Sequence, residues 1–187
     1  MKTNNIADSK KYKENRKEIE KSSKKYSISP DPQIINSPSG NYKLTIYELQ
    51  TEKGYWNYSK GVITDLKTDE EIFTILRNYD TFLYQWIGHQ NGNEYLLCGE
   101  DYQGYICLNL TEKKRHVYFP EKWPFCWISV EEYDKKYDNS IIIEGCHWGD
   151  TYQRVEYDLS NPDELPYKEL SREYIKEEWE DDEDDEE

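Results

Sequence analysis

The chain has 187 residues, a formal net charge of −15 and only 35% hydrophobic residues, a length that fits one domain with appendages. Its 18 Tyr, 6 Trp and 4 Phe exclude a wholly disordered chain, because large rings bury much area each and favour strands. The acidic balance disfavours direct nucleic-acid binding, and no run approaches the 18 or so apolar residues that a membrane span needs.

The first residues, MKTNNIADSKKYK, contain no apolar core of a secretory signal, so an intracellular, cytoplasmic protein is expected. Its four cysteines, 98, 107, 126 and 146, are then expected as free thiols. Residues 1–25 hold nine Lys/Arg against four Asp/Glu and show no clear apolar stripe. Residues 1–30 therefore read as a flexible basic arm. SISPDPQ (27–33), with two prolines, reads as its link to the domain.

Residues 31–172 read as β-rich throughout. Short runs of Tyr, Ile, Val, Leu, Trp and Thr alternate with turn clusters: SPSGN (37–41), KTDEE (67–71), QNGN (90–93), YDNS (137–140) and SNPDE (160–164). Three segments share one pattern: GVITDLKTDEEI (61–72), YICLNLTEKKRHV (105–117) and VEYDLSNPDELPY (155–167). Each runs a strand into Asp/Asn-Leu, a polar turn and a second strand. The leucines are Leu66, Leu110 and Leu159, 44 and 49 residues apart, preceded by Asp65, Asn109 and Asp158, whose side chains are placed to cap the turn. The expected fold is all-β, with about three consecutive four-stranded antiparallel blade-like sheets forming a propeller-like, incomplete ring.

The SPSGNYKLTIYEL opening is similar to that of many propeller blades. The segment from FCWISVEEY through IIIEGCHWGDTYQRVEYDLSNPDELPYKEL resembles an uncharacterised family of small β-propeller-like proteins in bacteria and large DNA viruses. The likeness covers roughly residues 37–172, and GC-x-W-x-x-x-Y and YDLSNP-x-x-LPY-x-EL are its most specific parts. It implies a fold and no established activity.

EGCHWGD (144–150) sets Cys146 beside His147. On a strand, neighbours point to opposite faces, so thiol and imidazole do not converge as nucleophile and base unless Gly145 introduces a bulge. The plain alternative places Cys146 in the core with Trp148 on the same face. Zinc is disfavoured by the cysteine spacings of 9, 19 and 20. Glu100 and Asp101 in GEDYQG (99–104) are candidates for acid or base work. There is no phosphate loop and no G-x-G-x-x-G, so the motifs do not support nucleoside-triphosphate or dinucleotide binding and no cofactor is expected.

Trp86, Trp127 and Trp148 read mainly as core residues, and Trp123 as part of a connecting loop. If Tyr102, Asp101, Trp123, Trp127, His147 and Trp148 gather at one edge of the sheets, they form an interaction surface. Residues 173–187 read as an acidic disordered tail, in which Trp179 is the single apolar residue among ten acids in 177–187. The tail suits a basic protein partner. The function expected is a non-catalytic protein-interaction module, with a second copy as a partner if it completes the ring. The alternatives are a small hydrolase with a cleft between the blade-like units, or an acidic inhibitor mimicking nucleic acid.

Overall fold

A computed structural model describes residues 4–51, 55, 57–101, 103–130 and 139–175. The described residues form one helix, α1 (Lys10–Ser23), and three antiparallel sheets in chain order that do not join into a barrel. Sheet I holds β1 (Ser27–Ile28), β2 (Gln33–Asn36), β3 (Tyr42–Gln50), β4 (Tyr58–Asp65) and β5 (Glu70–Arg77). Sheet II holds β6 (Tyr84–Gly88), β7 (Glu94–Glu100), β8 (Gly104–Asn109) and β9 (Lys114–Tyr118). Sheet III holds β10 (Phe125–Val130), β11 (Ser140–His147), β12 (Gln153–Asp158) and β13 (Lys168–Tyr174). Sheets II and III have the expected four strands. Sheet I has a fifth because β1 and β2 both pair with β3, so SISPDPQ is the start of the sheet and more than a linker.

Sheet II is the centre of the molecule because its two middle strands are apolar on both faces. Every residue of β8 is buried. Leu96, Cys98, Ile106 and Leu108 pack with Leu44, Ile63 and Ile75 of sheet I. Their neighbours Tyr95, Leu97, Tyr105 and Cys107 pack with Ile141, Ile143, Val155 and Tyr157 of sheet III. The period-two geometry of a strand sends alternate residues to opposite faces, so near-continuous apolar runs are what a sandwiched sheet requires. By contrast β12 (QRVEYD) alternates buried and half-buried positions and covers one core only.

Each of the three polar turns is capped by its Asp or Asn side chain, from the amide two residues on at Asp65 and Asp158 and three on at Asn109. Asp65 Oδ1 accepts from the Lys67 amide (2.9 Å), Asn109 Oδ1 from Glu112 (3.0 Å) and Asp158 Oδ1 from Ser160 (2.8 Å). Leu66, Leu110 and Leu159 each donate a backbone N–H to a carbonyl at the start of the preceding strand or its turn, Asn41, Glu94 and Asn139. The first two turns close through a left-handed residue, Asp69 (φ 58°) and Lys113 (φ 53°).

The largest departure from expectation is at the N-terminus. Residues 10–23 are a helix docked across the ends of β5, β7 and β9, where a flexible arm was expected. Ser9 caps it by accepting from the Tyr12 amide (3.1 Å). Tyr12, Arg16 and Ile19 fall at i, i+4 and i+7 and form one inward stripe. Tyr12 and Ile19 are buried, and the Tyr12 ring lies 5.1 Å from that of Phe119. The stripe escapes a hydropathy reading because an arginine occupies its middle. That arginine meets a buried acid, so the face is specific without being apolar. Of the expected acidic tail, residues 176–187 lie outside the described residues; residues 173 and 174 belong to β13.

Candidate functional site

A concavity of about 1720 Å³ is a groove at the junction of sheets II and III, floored by β8, β10 and β12 and walled by the loops 119–124 and 159–167. Trp123, Trp127, His147 and Trp148 all line it, so four of the seven expected surface residues do meet. Asp101 does not. It sits in the β7–β8 turn with a left-handed backbone (φ 46°) and accepts from Arg16 (3.1 and 3.2 Å) and the Asn78 amide (2.8 Å). Tyr102 and Trp179 lie outside the described residues.

The floor of the groove is a ring stack. Tyr105 lies parallel to Trp127 (centroids 4.4 Å apart, 16° between planes) and to Tyr167 (5.2 Å, 17°). Two hydrogen bonds fix the stack: the Tyr167 amide donates to the Tyr105 hydroxyl (2.7 Å), and the Tyr167 hydroxyl donates to the Pro162 carbonyl (3.0 Å). Burial pushes both phenols well above their ordinary range, so they stay neutral donors or acceptors. Trp127 is thus a core residue as expected. Tyr105, Phe125, Tyr157, Tyr167 and Arg172 complete the surface and were not legible as site residues. Alternation marks Tyr105 as facing one side of β8 but cannot say which sheet covers that side.

Cys146 and His147 point to opposite faces of β11, as the strand geometry requires. Ile141, Ile143 and Gly145 face sheet II and are buried, and His147 ends that row in the groove. The bulge lies in β10, between Trp127 and Ser129, and not at Gly145. Glycine at 145 has a separate cause. A Cβ there would sit 2.1 Å from the Cys126 carbonyl oxygen, so the close approach of β10 and β11 needs its absence. His147 Nδ1 donates to the Pro124 carbonyl (3.0 Å), which turns Nε2 as acceptor toward Arg172 Nη1 (3.4 Å). The Arg172 guanidinium stacks 5.2 Å from the Phe125 centroid and grips Glu169 through two bonds (2.6 and 2.9 Å). Those bonds hold the Glu169 carboxyl below the usual range, so it is an ionised partner and no proton donor. Trp148 is 82% exposed at the rim, not in the core, and Trp123 is 73% exposed in the β9–β10 loop.

A second constellation looks catalytic and is not. Cys107 stands directly opposite His116 on β8 and β9, and His116 Nε2 lies 3.2 Å from Asp163. Cys107 is fully buried, and desolvation pushes its thiol up to about 12, so no useful thiolate exists near neutral pH. Among the described residues no three His, Cys, Asp or Glu side chains gather in a way that would hold a metal ion.

No family model matches the chain, and no solved structure matches it. It is similar to an uncharacterized protein of Acanthamoeba polyphaga mimivirus, 33% identical over 144 residues, a match covering 74% of this chain and 56% of the mimivirus protein. The chain therefore spans little more than half the length of that relative. The likeness to viral proteins holds to this extent, and no propeller family is shown. No described helix is long and apolar enough to cross a membrane.

The thiols supply a direct check on the packing. Cys98 and Cys107 are buried between sheets, whereas Cys126 and Cys146 are half-buried and paired in register on β10 and β11. In native protein a maleimide is expected to label Cys126 and Cys146, leaving Cys98 and Cys107 unmodified until denaturant is added. Mass mapping that finds Cys107 labelled early in native protein contradicts the burial of β8.

Proposed function

We propose that this chain is a non-catalytic protein-interaction module that takes a segment of a partner protein into the aromatic groove. The observation that carries the reading is the pairing of an ordered ring floor with two exposed indoles at the rim, Trp123 and Trp148. The exposed indoles offer flat faces that accept proline and ring side chains at low entropic cost, above a floor that the buried stack holds rigid, and such anchors dominate binding energy where they occur. The Trp123 backbone supports the same reading. Its φ of 53° is left-handed for a bulky residue, and Pro124 follows it, which disfavours helical backbone further. Conformations of this kind cost about 1–3 kcal/mol and cluster at binding sites.

Acids at the margin of the groove, Asp150, Asp158 and Glu164, together with the net charge of −15, favour a partner carrying basic residues beside its ring or proline anchors. We read the three sheets as consecutive blades of an incomplete propeller; support comes from the equivalent Asx turns and the chain-order pairing in sheets II and III.

Selection of a random peptide phage library on the immobilised protein tests the proposal. Enrichment of proline- or aromatic-containing basic peptides is expected. Their affinity, measured by fluorescence polarisation, is expected to fall at least about tenfold in Trp123→Ala/Trp148→Ala, the size expected for lost anchor residues. Both side chains are exposed, so the double variant is expected to melt within a few degrees of the parent. No enrichment, or peptides that bind the double variant equally well, overturns the groove as the recognition surface.

A further inference from the structure

A second cleft, about 890 Å³, lies between α1, one face of sheet I and β9, apart from the aromatic groove. Its charge is opposite to that of the molecule. Among the described residues, Lys13, Arg16, Lys17, Lys24, Lys60 and Arg115 line it against a single lining acid, Glu20, in a chain whose net charge is −15. Lys13, Lys17 and Glu20 fall at i, i+4 and i+7 on α1, and its C-cap Lys24 follows at i+11, one stripe about 16 Å long. Lys60 on β4 and Arg115 on β9 stand across from that stripe. Arg16 is engaged by the buried Glu100 and by Asp101, and Lys13 reaches Asp8 at 3.6 Å, an exposed pair. Lys17 and Lys24 remain, with Lys60 over the Tyr47 ring at 5.9 Å and Arg115 only loosely tied to Glu100 at 3.7 Å. The floor is apolar: Leu49, Leu76, Val117 and the Tyr26 ring, which packs on Tyr58 at 5.1 Å.

We infer that this cleft binds a compact organic polyphosphate, of the nucleoside di- or triphosphate class. Lys13 and Lys17 stand one turn apart on α1 and repel, and an anion between them and the facing strands removes that cost. The volume falls within the roughly 300–1000 Å³ typical of small-molecule sites. The cationic walls suit phosphates, and the apolar floor suits a flat ring. Charge range selects for size. Screening confines attraction to about 8 Å at physiological salt, so a compact anion inside the cleft meets mainly these cations. A long nucleic acid leaves the cleft and meets the acidic surface elsewhere.

The test uses the full chain, with ATP and inorganic tripolyphosphate as probes, by isothermal titration and thermal shift at low and at raised salt. ATP is expected to bind measurably and tripolyphosphate several-fold more weakly, both losing affinity as salt rises. Lys17→Glu/Lys24→Glu is expected to weaken ATP at least tenfold while its unliganded melting temperature stays within a few degrees of the parent, both side chains being exposed. Trp123→Ala/Trp148→Ala is expected to bind ATP as the parent does. The inference is overturned by no heat and no shift with either probe, by equal affinity of the two probes, by unchanged ATP binding in the charge-reversed variant, or by an RNA oligonucleotide binding more tightly than ATP.

Discussion

Arg16→Ala is expected to lower the free energy of unfolding by about 3–5 kcal/mol, the cost of breaking a buried ion pair from one side. Arg16 is 11% exposed and Glu100 fully buried, with Nη1 3.1 Å from Oε1. The same guanidinium holds Asp101 and donates to the Leu76 carbonyl, so one side chain ties α1 to β5 and to the β7–β8 turn. Without it Glu100 keeps only the Tyr12 hydroxyl, which donates at 2.7 Å, and Arg115 at 3.7 Å. Desolvation already pushes the Glu100 carboxyl up, and loss of Arg16 pushes it further. A carboxyl raised in the folded state favours folding at low pH, and that contribution is lost as pH rises through its folded value. The penalty of Arg16→Ala is therefore expected to be largest at neutral pH and to shrink on mild acidification. Urea denaturation followed by tryptophan fluorescence measures it. Glu100→Gln in the Arg16→Ala background is expected to recover part of the loss. Strictly additive single and double variants sink the pairing as the reason the helix docks.

The second large effect is a steep alkaline collapse. Desolvation raises Tyr12, Tyr105, Tyr157 and Tyr167 far above the ordinary phenol value, raises Cys98 well above that of a thiol, and pushes Cys107 up to about 12. All six keep their protons in the folded state and release them on unfolding. Their contribution is whole below the unfolded values, near 9 for thiols and near 10 for phenols, and is lost as pH climbs from there toward the folded values. Each group removes about 1.4 kcal/mol per pH unit once its unfolded form ionises. A domain of ordinary stability, about 5–15 kcal/mol, is then expected to unfold between about pH 10 and 11.5. Of the tyrosinate absorbance near 295 nm, the share of these buried rings is expected to rise in one step together with loss of the strand circular-dichroism signal. Titration of all 18 phenols with the strand signal intact places these rings at the surface and overturns the two-core arrangement.

The sandwich was half legible. The runs EYLLCGE and YICLN read as strands, and their lack of polar alternation follows from burial on both faces. Which face meets which sheet was not legible, because alternation is symmetric about the strand. For that reason Trp148 read as core on the face of Cys146, while the chain turns at Gly149 (φ 79°) and leaves its ring at the rim. Among the candidate site residues, those near the β9–β10 and β11–β12 ends came together because sheet III folds against sheet II there. Asp101 belongs to the far side, where α1 claims it. The helix itself was missed because its inward stripe joins Tyr12 and Ile19 through Arg16, and hydropathy has no term for a cation whose counter-ion lies 84 residues away at Glu100.

By itself the sequence determined the β class, the order of the strands, the three Asx turns and the opposite facing of Cys146 and His147, all set by local backbone geometry and side-chain period. Tertiary structure decided what distance in sequence conceals: the docking of a charged helix by a buried acid, the meeting of Tyr105, Trp127 and Tyr167 in one stack, and the confinement of scattered lysines and arginines to one cleft of an acidic molecule. Those outcomes depend on which surfaces pack together, and packing is chosen by the whole chain's burial and charge pairing rather than by any single segment.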